Sequence, residues 1–189
     1  KGYENYLRLN YLSMSDDKHF YYSPRITQDE LFKHKEGLVI GSGCFANPFV
    51  SLCRQEKYEE AEELFEKYVT EFSDNFYVEV QLNEMIKQID SLPNGQMSAN
   101  EIMINFANKY GVPIVITGDV HYLEKGQNKL QTLAMAIRDK STIDNIQFEF
   151  ESKELFYHDI NDYIDFNERF GYKYPKGDII TWCNNTEQI

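Results

Sequence analysis

Hydrophobic and polar positions alternate with two clear periods along this chain. Three-and-four spacing marks helices: Tyr3, Leu7 and Tyr11 over residues 3–13, and Tyr58, Ala61, Leu64, Phe65, Tyr68 and Phe72 over 57–72. The opposite face of the second stretch is nearly all Glu and Lys, the pattern of an amphipathic surface helix. Further helices are predicted over 98–110, 128–138 and 178–189. Thr27 with Glu30, and Ser98 with Glu101, read as capping boxes, and Asn47-Pro48 reads as a helix start. Gly111 reads as a helix stop. Three strands are predicted: the glycine-bounded run 37–41, the alternating stretch 76–82, and the β-branched stretch 113–117. Residues 14–25 read as a polar loop, and 150–176 as aromatic and irregular.

Strands alternating with amphipathic helices imply right-handed βαβ units and a parallel sheet or barrel. The 189 residues suffice for one core, and no repeat or linker divides them. The 14 Tyr and 13 Phe predict a core of large rings. A net charge of −12 with no Lys/Arg cluster makes the segment by itself a poor nucleic-acid binder. Three scattered cysteines do not make a disulfide framework and favour a reducing, cytoplasmic setting. No run approaches a membrane span. The opening Lys1-Gly2-Tyr3 has the character of a helix interior and no initiator Met, which suggests part of a longer protein.

Function in parallel α/β folds collects at the carboxyl ends of strands. Ser42-Gly43-Cys44 follows the first strand, where Cys44 is a candidate metal ligand. The alternative is a buried apolar cysteine. Glu79 and Gln81 share one face of the second strand; this reads as ordinary solvent alternation, the alternative being a barrel in which the face puts a carboxylate into the central site. Asp119 and His121 follow the third strand. In an extended segment they point the same way, roughly 6.5 Å apart, and could grip one ion. Oxygen and imidazole together suit Zn, Mn or Fe better than Mg or Ca. Alternatively Asp119 caps a turn and His121 packs with Tyr122. His19, His34 and His158 read as surface residues. No phosphate loop, dinucleotide fingerprint, nucleophile elbow or paired CxxC is present.

Six segments in order resemble a known family: Gly2-Tyr3-Glu4-Asn5-Tyr6, Glu36 through Cys44, Phe76 through Gln81, Gly111 through Leu123, Ala136 through Asp144, and Asn185 through Ile189. The chain is similar to the polymerase-and-histidinol-phosphatase (PHP) domain at the amino end of the bacterial replicative DNA polymerase III alpha subunit. The resemblance implies that residues 1–189 are a single PHP-domain fragment of a longer polymerase. It implies an α/β fold, the C-terminal portion of a distorted (βα)7 barrel. It also implies metal ligands at Cys44, Asp119 and His121, with Zn or Mn as cofactor and the cage incomplete in this chain. No residue stands out as a general base. The implied function is DNA synthesis by the whole polymerase, with this domain a metal-dependent phosphoesterase, a 3′–5′ proofreading exonuclease. Implied partners are DNA, reached through the full polymerase, and other replisome subunits. A non-catalytic platform and a stand-alone phosphoesterase are the alternatives. Three positions depart from the family pattern: Gly118 stands where Asn is common, Gln131 where His is frequent, and His158-Asp159 where Lys-Ser is usual.

Overall fold

The computed structural model describes residues 1–85, 87–145 and 152–189. Chain order begins with α1 (Gly2–Leu12), a small antiparallel hairpin of β1 (Phe20–Tyr21) and β2 (Ser23–Pro24), and α2 (Gln28–Lys33). Then come β3 (Ile40–Gly41), α3 (Pro48–Arg54), α4 (Tyr58–Phe72), β4 (Phe76–Val80), α5 (Gln96–Tyr110) and β5 (Ile114–Ile116). The chain closes with α6 (Asn128–Arg138), α7 (Ile160–Arg169) and α8 (Lys176–Asn184). The fold is mixed α/β, with eight α-helices among the described residues around a parallel sheet ordered β3-β4-β5. Ile40 pairs with Phe76, and Val78, Glu79 and Val80 pair with Ile114, Val115 and Ile116. All three strands therefore run their carboxyl ends to one edge. Among the described residues no helix is long and apolar enough to cross a membrane.

Local sequence explains most boundaries. Thr27 and Glu30 form their capping box, and Asn47 accepts from the Val50 N–H at 2.8 Å ahead of Pro48. Gly111 closes α5 with φ 70°, a left-handed conformation that favours glycine. Helix α4 buries Ala61, Phe65, Tyr68 and Phe72 and leaves its Glu-rich face in water. Phe65, Tyr68, Phe49 and Phe76 meet edge-on or tilted, with ring centroids 5.2–6.1 Å apart, and form the heart of the core.

Several expectations are corrected. The run 37–41 is a strand only at Ile40–Gly41, because Gly37 takes φ 78° and lies against the backbone of Gly2. Ser98 and Glu101 form no capping box, since α5 already starts at Gln96 after Gly95. Ser98 instead accepts from the Asn94 N–H at 3.2 Å. The segment read as irregular holds α7. Asp159 accepts from the Asn161 and Asp162 N–H groups at 2.7 and 3.1 Å, and Asp162 returns the bond to the Asp159 N–H. Residues 150 and 151 of that segment lie outside the described residues. Helix α8 stops at Asn184 and tightens into a 3₁₀ turn over Asn185–Gln188.

Two of the family-like motifs act as clamps. Asn5 donates to the Glu36 carbonyl at 2.8 Å and ties α1 to the approach of β3. Asn185 donates to the Ile114 carbonyl at 2.7 Å and satisfies an edge group of β5.

His19 is buried rather than on the surface. Its Nδ1 lies 2.8 Å from Asp16 and its Nε2 2.8 Å from Glu30, so it fastens the hairpin loop to α2. The bond to Glu30, then that to Asp16, raises its pKa above 6.5. Glu30 is held down to about 2, first by the Thr27 N–H and then by His19. A histidine pKa raised on folding adds stability that is complete below pH 6.5 and fades as pH rises through the raised value. Wild-type protein is therefore expected to lose urea resistance as pH climbs above 6.5, and His19→Gln to lose that part of the slope. Parallel slopes in the two proteins would refute the assignment.

Candidate metal and ligand site at the strand ends

The exit of β3 is bent and pinned. The Ser42 N–H donates to the Tyr77 carbonyl at 2.8 Å, and the Ser42 hydroxyl accepts from the Glu79 N–H at 2.9 Å. Gly43 turns with φ 81°, and its N–H donates to the Glu79 carboxylate at 2.8 Å. A Cβ on Gly41 would collide with that same carboxylate. Cys44 follows this turn and is exposed, so the buried-cysteine alternative does not hold. Its carbonyl accepts from the Asn47 N–H and side-chain amide at 3.0 and 2.8 Å.

Glu79 and Gln81 are not a solvent face. Glu79 is half-buried and brackets the Cys44 turn, and Gln81 is buried. Alternation along β4 gave the shared face correctly but not what covers it. Past Val80, strand pairing gives way to side-chain clamps. Asn100 of α5 donates to the Gln81 carbonyl at 2.7 Å and takes the Gln96 amide at 2.9 Å. The Tyr172 hydroxyl donates to the Asn83 carbonyl at 2.8 Å and lies 3.2 Å from the Asn83 nitrogen. These buried polar groups hold the exit of β4, where no neighbouring strand does so among the described residues.

The exit of β5 is kinked at Asp119 and is not the uniformly extended segment expected. Asp119 adopts φ 46°, and the His121 N–H donates to the Leu155 carbonyl at 2.7 Å. His121 Nδ1 lies 2.6 Å from the Asp119 carbonyl and 3.9 Å from the Asp119 carboxylate. A carbonyl only accepts, so Nδ1 carries the proton and the ring lone pair sits on Nε2. Metal-binding histidines commonly use this arrangement.

Cys44 and Asp119 open on one cavity of about 580 Å³, whose wall includes Gln81, Asn83, Gln96 and Leu155. His121 stands beside Asp119 but does not line it. Three donors of suitable chemistry are thus present. Among the described residues, however, no group of three or more His, Cys, Asp or Glu side chains could hold an ion. The donor set fits part of a metal site, not a whole one.

His158, read as a surface residue, is buried among Phe156, Tyr163 and Phe166. Neither ring nitrogen has a hydrogen-bond partner among the described residues. Burial lowers its pKa, so the ring is held neutral. It packs directly under Gly118, one residue before Asp119.

The chain carries a PHP domain, matched over residues 1–83. It is homologous to DNA polymerase III alpha subunits. It is 32% identical over 144 residues to DNA polymerase III subunit alpha of Thermus aquaticus, covering 76% of this chain and 11% of that protein. It is 30% identical over 160 residues to the subunit of Aquifex aeolicus, covering 83% and 13%. Against that of Treponema pallidum it is 31% identical over 157 residues, covering 82% and 13%. The chain spans 11–13% of the length of these relatives.

Proposed function

We propose that these 189 residues are a PHP-domain portion of a replicative DNA polymerase of the III alpha type. The whole chain performs template-directed DNA synthesis in the cytoplasm, together with other replisome subunits. The three parallel strands belong to a distorted (βα)7 barrel. Within it the domain is a divalent-metal phosphoesterase that trims mispaired 3′ ends, with Cys44, Asp119 and His121 among the ligands of Zn or Mn. One observation carries this reading: the exits of β3 and β5, far apart in sequence, present Cys44 and Asp119 to one cavity. The imidazole beside them has its Nδ1 tied to a carbonyl. A bound metal would supply charge neutralisation at the phosphoryl oxygens and a more acidic water. Further donors would be needed to complete the cage. Similarity to polymerase subunits continues well past residue 83, which favours the polymerase branch over a stand-alone phosphoesterase.

The platform reading has its own support. No three-donor group forms among the described residues, and amides line much of the polar wall of the cavity. The two separate in an assay of the full-length polymerase on a primer with a mispaired 3′ end. Cys44→Ser combined with Asp119→Asn is expected to cut removal of the mispair at least tenfold while primer extension continues. Unchanged removal would establish the domain as a platform.

A further inference from the structure

The cavity has a chemistry that metal ligation does not use. Gln81, at the exit of β4, is only 7% exposed. Its main chain is fixed by Asn100, whose amide donates to the Gln81 carbonyl at 2.7 Å and whose oxygen lies 3.4 Å from the Gln81 N–H. Gln81 lines the cavity, and its side-chain amide has no hydrogen-bond partner among the described residues. Its neighbours Asn83, Gln96 and Asn100 differ, because they are tied to one another. The amide makes no bond to the described protein and opens on the cavity, where a ligand supplying both a donor and an acceptor can pair with it.

The rest of the wall narrows the ligand. Phe45, Met85, Ile89 and Leu155 are apolar, and Phe45 offers an aromatic ring. A volume of about 580 Å³ lies in the range of small-molecule sites. A sugar phosphate would waste the apolar wall. A plain hydrophobe would leave the Gln81 amide unpaired. A planar heteroaromatic ring with donor and acceptor on one edge satisfies both, and nucleobases are read by Gln in this bidentate way. The chain carries a net charge of −12, so binding energy must come from the base rather than from the phosphates.

We propose that this cavity is a nucleobase subsite, in which the Gln81 amide pairs with the edge of a base seated against the apolar wall. The proposal rests on the phosphoesterase reading: the base of the terminal nucleotide would sit here while its phosphodiester faces Cys44 and Asp119. Its test is independent of metal. Binding of deoxyadenosine, deoxyadenosine monophosphate and deoxyribose 5-phosphate to the full protein is measured by calorimetry in EDTA. The two base-containing probes are expected to bind with similar affinity, and the base-free sugar phosphate at least tenfold more weakly.

Gln81→Leu should weaken deoxyadenosine roughly tenfold or more, the scale of one lost bidentate pair. Ala46 lies on the exposed rim, so Ala46→Trp obstructs the mouth without touching the core. It should weaken the same probes with an unchanged melting temperature, and it carries the test if Gln81→Leu does not fold. Equal binding of the sugar phosphate overturns the subsite, and so does deoxyadenosine binding that neither variant alters. Either result leaves the metal reading standing. Base binding by a protein that takes up no metal would instead remove the metal reading and keep the subsite.

Discussion

Phe65→Ala is expected to destabilise the protein by about 3–5 kcal/mol, the usual cost of removing a fully buried aromatic ring. Phe65 is 0% exposed and sits where four elements meet. Its ring centroid lies 5.3 Å from Phe49 on α3 and 5.2 Å from Phe76 on β4. On α5 it lies 5.1 Å from Phe106 and 5.6 Å from Tyr110. Truncation removes apolar contact and leaves a cavity that stiff neighbouring rings cannot refill. Tyr58→Ala on the same helix is the control. Tyr58 is exposed, so its change should stay within about 0.5 kcal/mol. Denaturant melts of the two variants decide the matter, and equal losses would contradict the packing described.

Gly118→Asn is expected to destabilise this protein by about 1–3 kcal/mol through overpacking. A Cβ at Gly118 would lie 2.7 Å from His158 Nδ1 and 3.0 Å from the Tyr163 hydroxyl. Both neighbours are buried, and His158 is wedged between Phe156 and Phe166, so neither can give way cheaply. Gly118 and His158 are therefore packed as one pair. The small residue before Asp119 makes room for the imidazole beneath it. His158→Ala should relieve the clash, so the double variant should be more stable than the sum of the single effects by about 1 kcal/mol or more. Strict additivity would show that the two positions are independent.

These cases mark what the sequence disclosed. Helix α4 was readable because its apolar positions repeat at helical spacing against a charged face. Asn47-Pro48 announced α3 because a side-chain cap and a fixed φ act locally. The strand-end rule pointed to Cys44 and Asp119, which do open on one cavity. Other features depended on partners distant in sequence. Alternation in β4 grouped Glu79 with Gln81 but could not reveal that the Gly43 N–H binds the Glu79 carboxylate or that Gln81 lines a cavity. His158 looked like an edge residue because the rings closing over it include Tyr163 and Phe166, on a helix not foreseen. That helix had a signal, the Asp159–Asp162 capping pair followed by Tyr163 and Phe166 at helical spacing. His19 likewise took its burial from Glu30, eleven residues on.

Cys44, Asp119 and His121 are proposed as part of the ligand set of a metal site. The most direct test of this claim is elemental analysis of the full-length polymerase after gel filtration in metal-free buffer. Wild type is expected to retain Zn or Mn, and Asp119→Ala combined with His121→Ala to lose it while keeping a wild-type melting curve for the polymerase core. Equal metal content in the two proteins would contradict the claim.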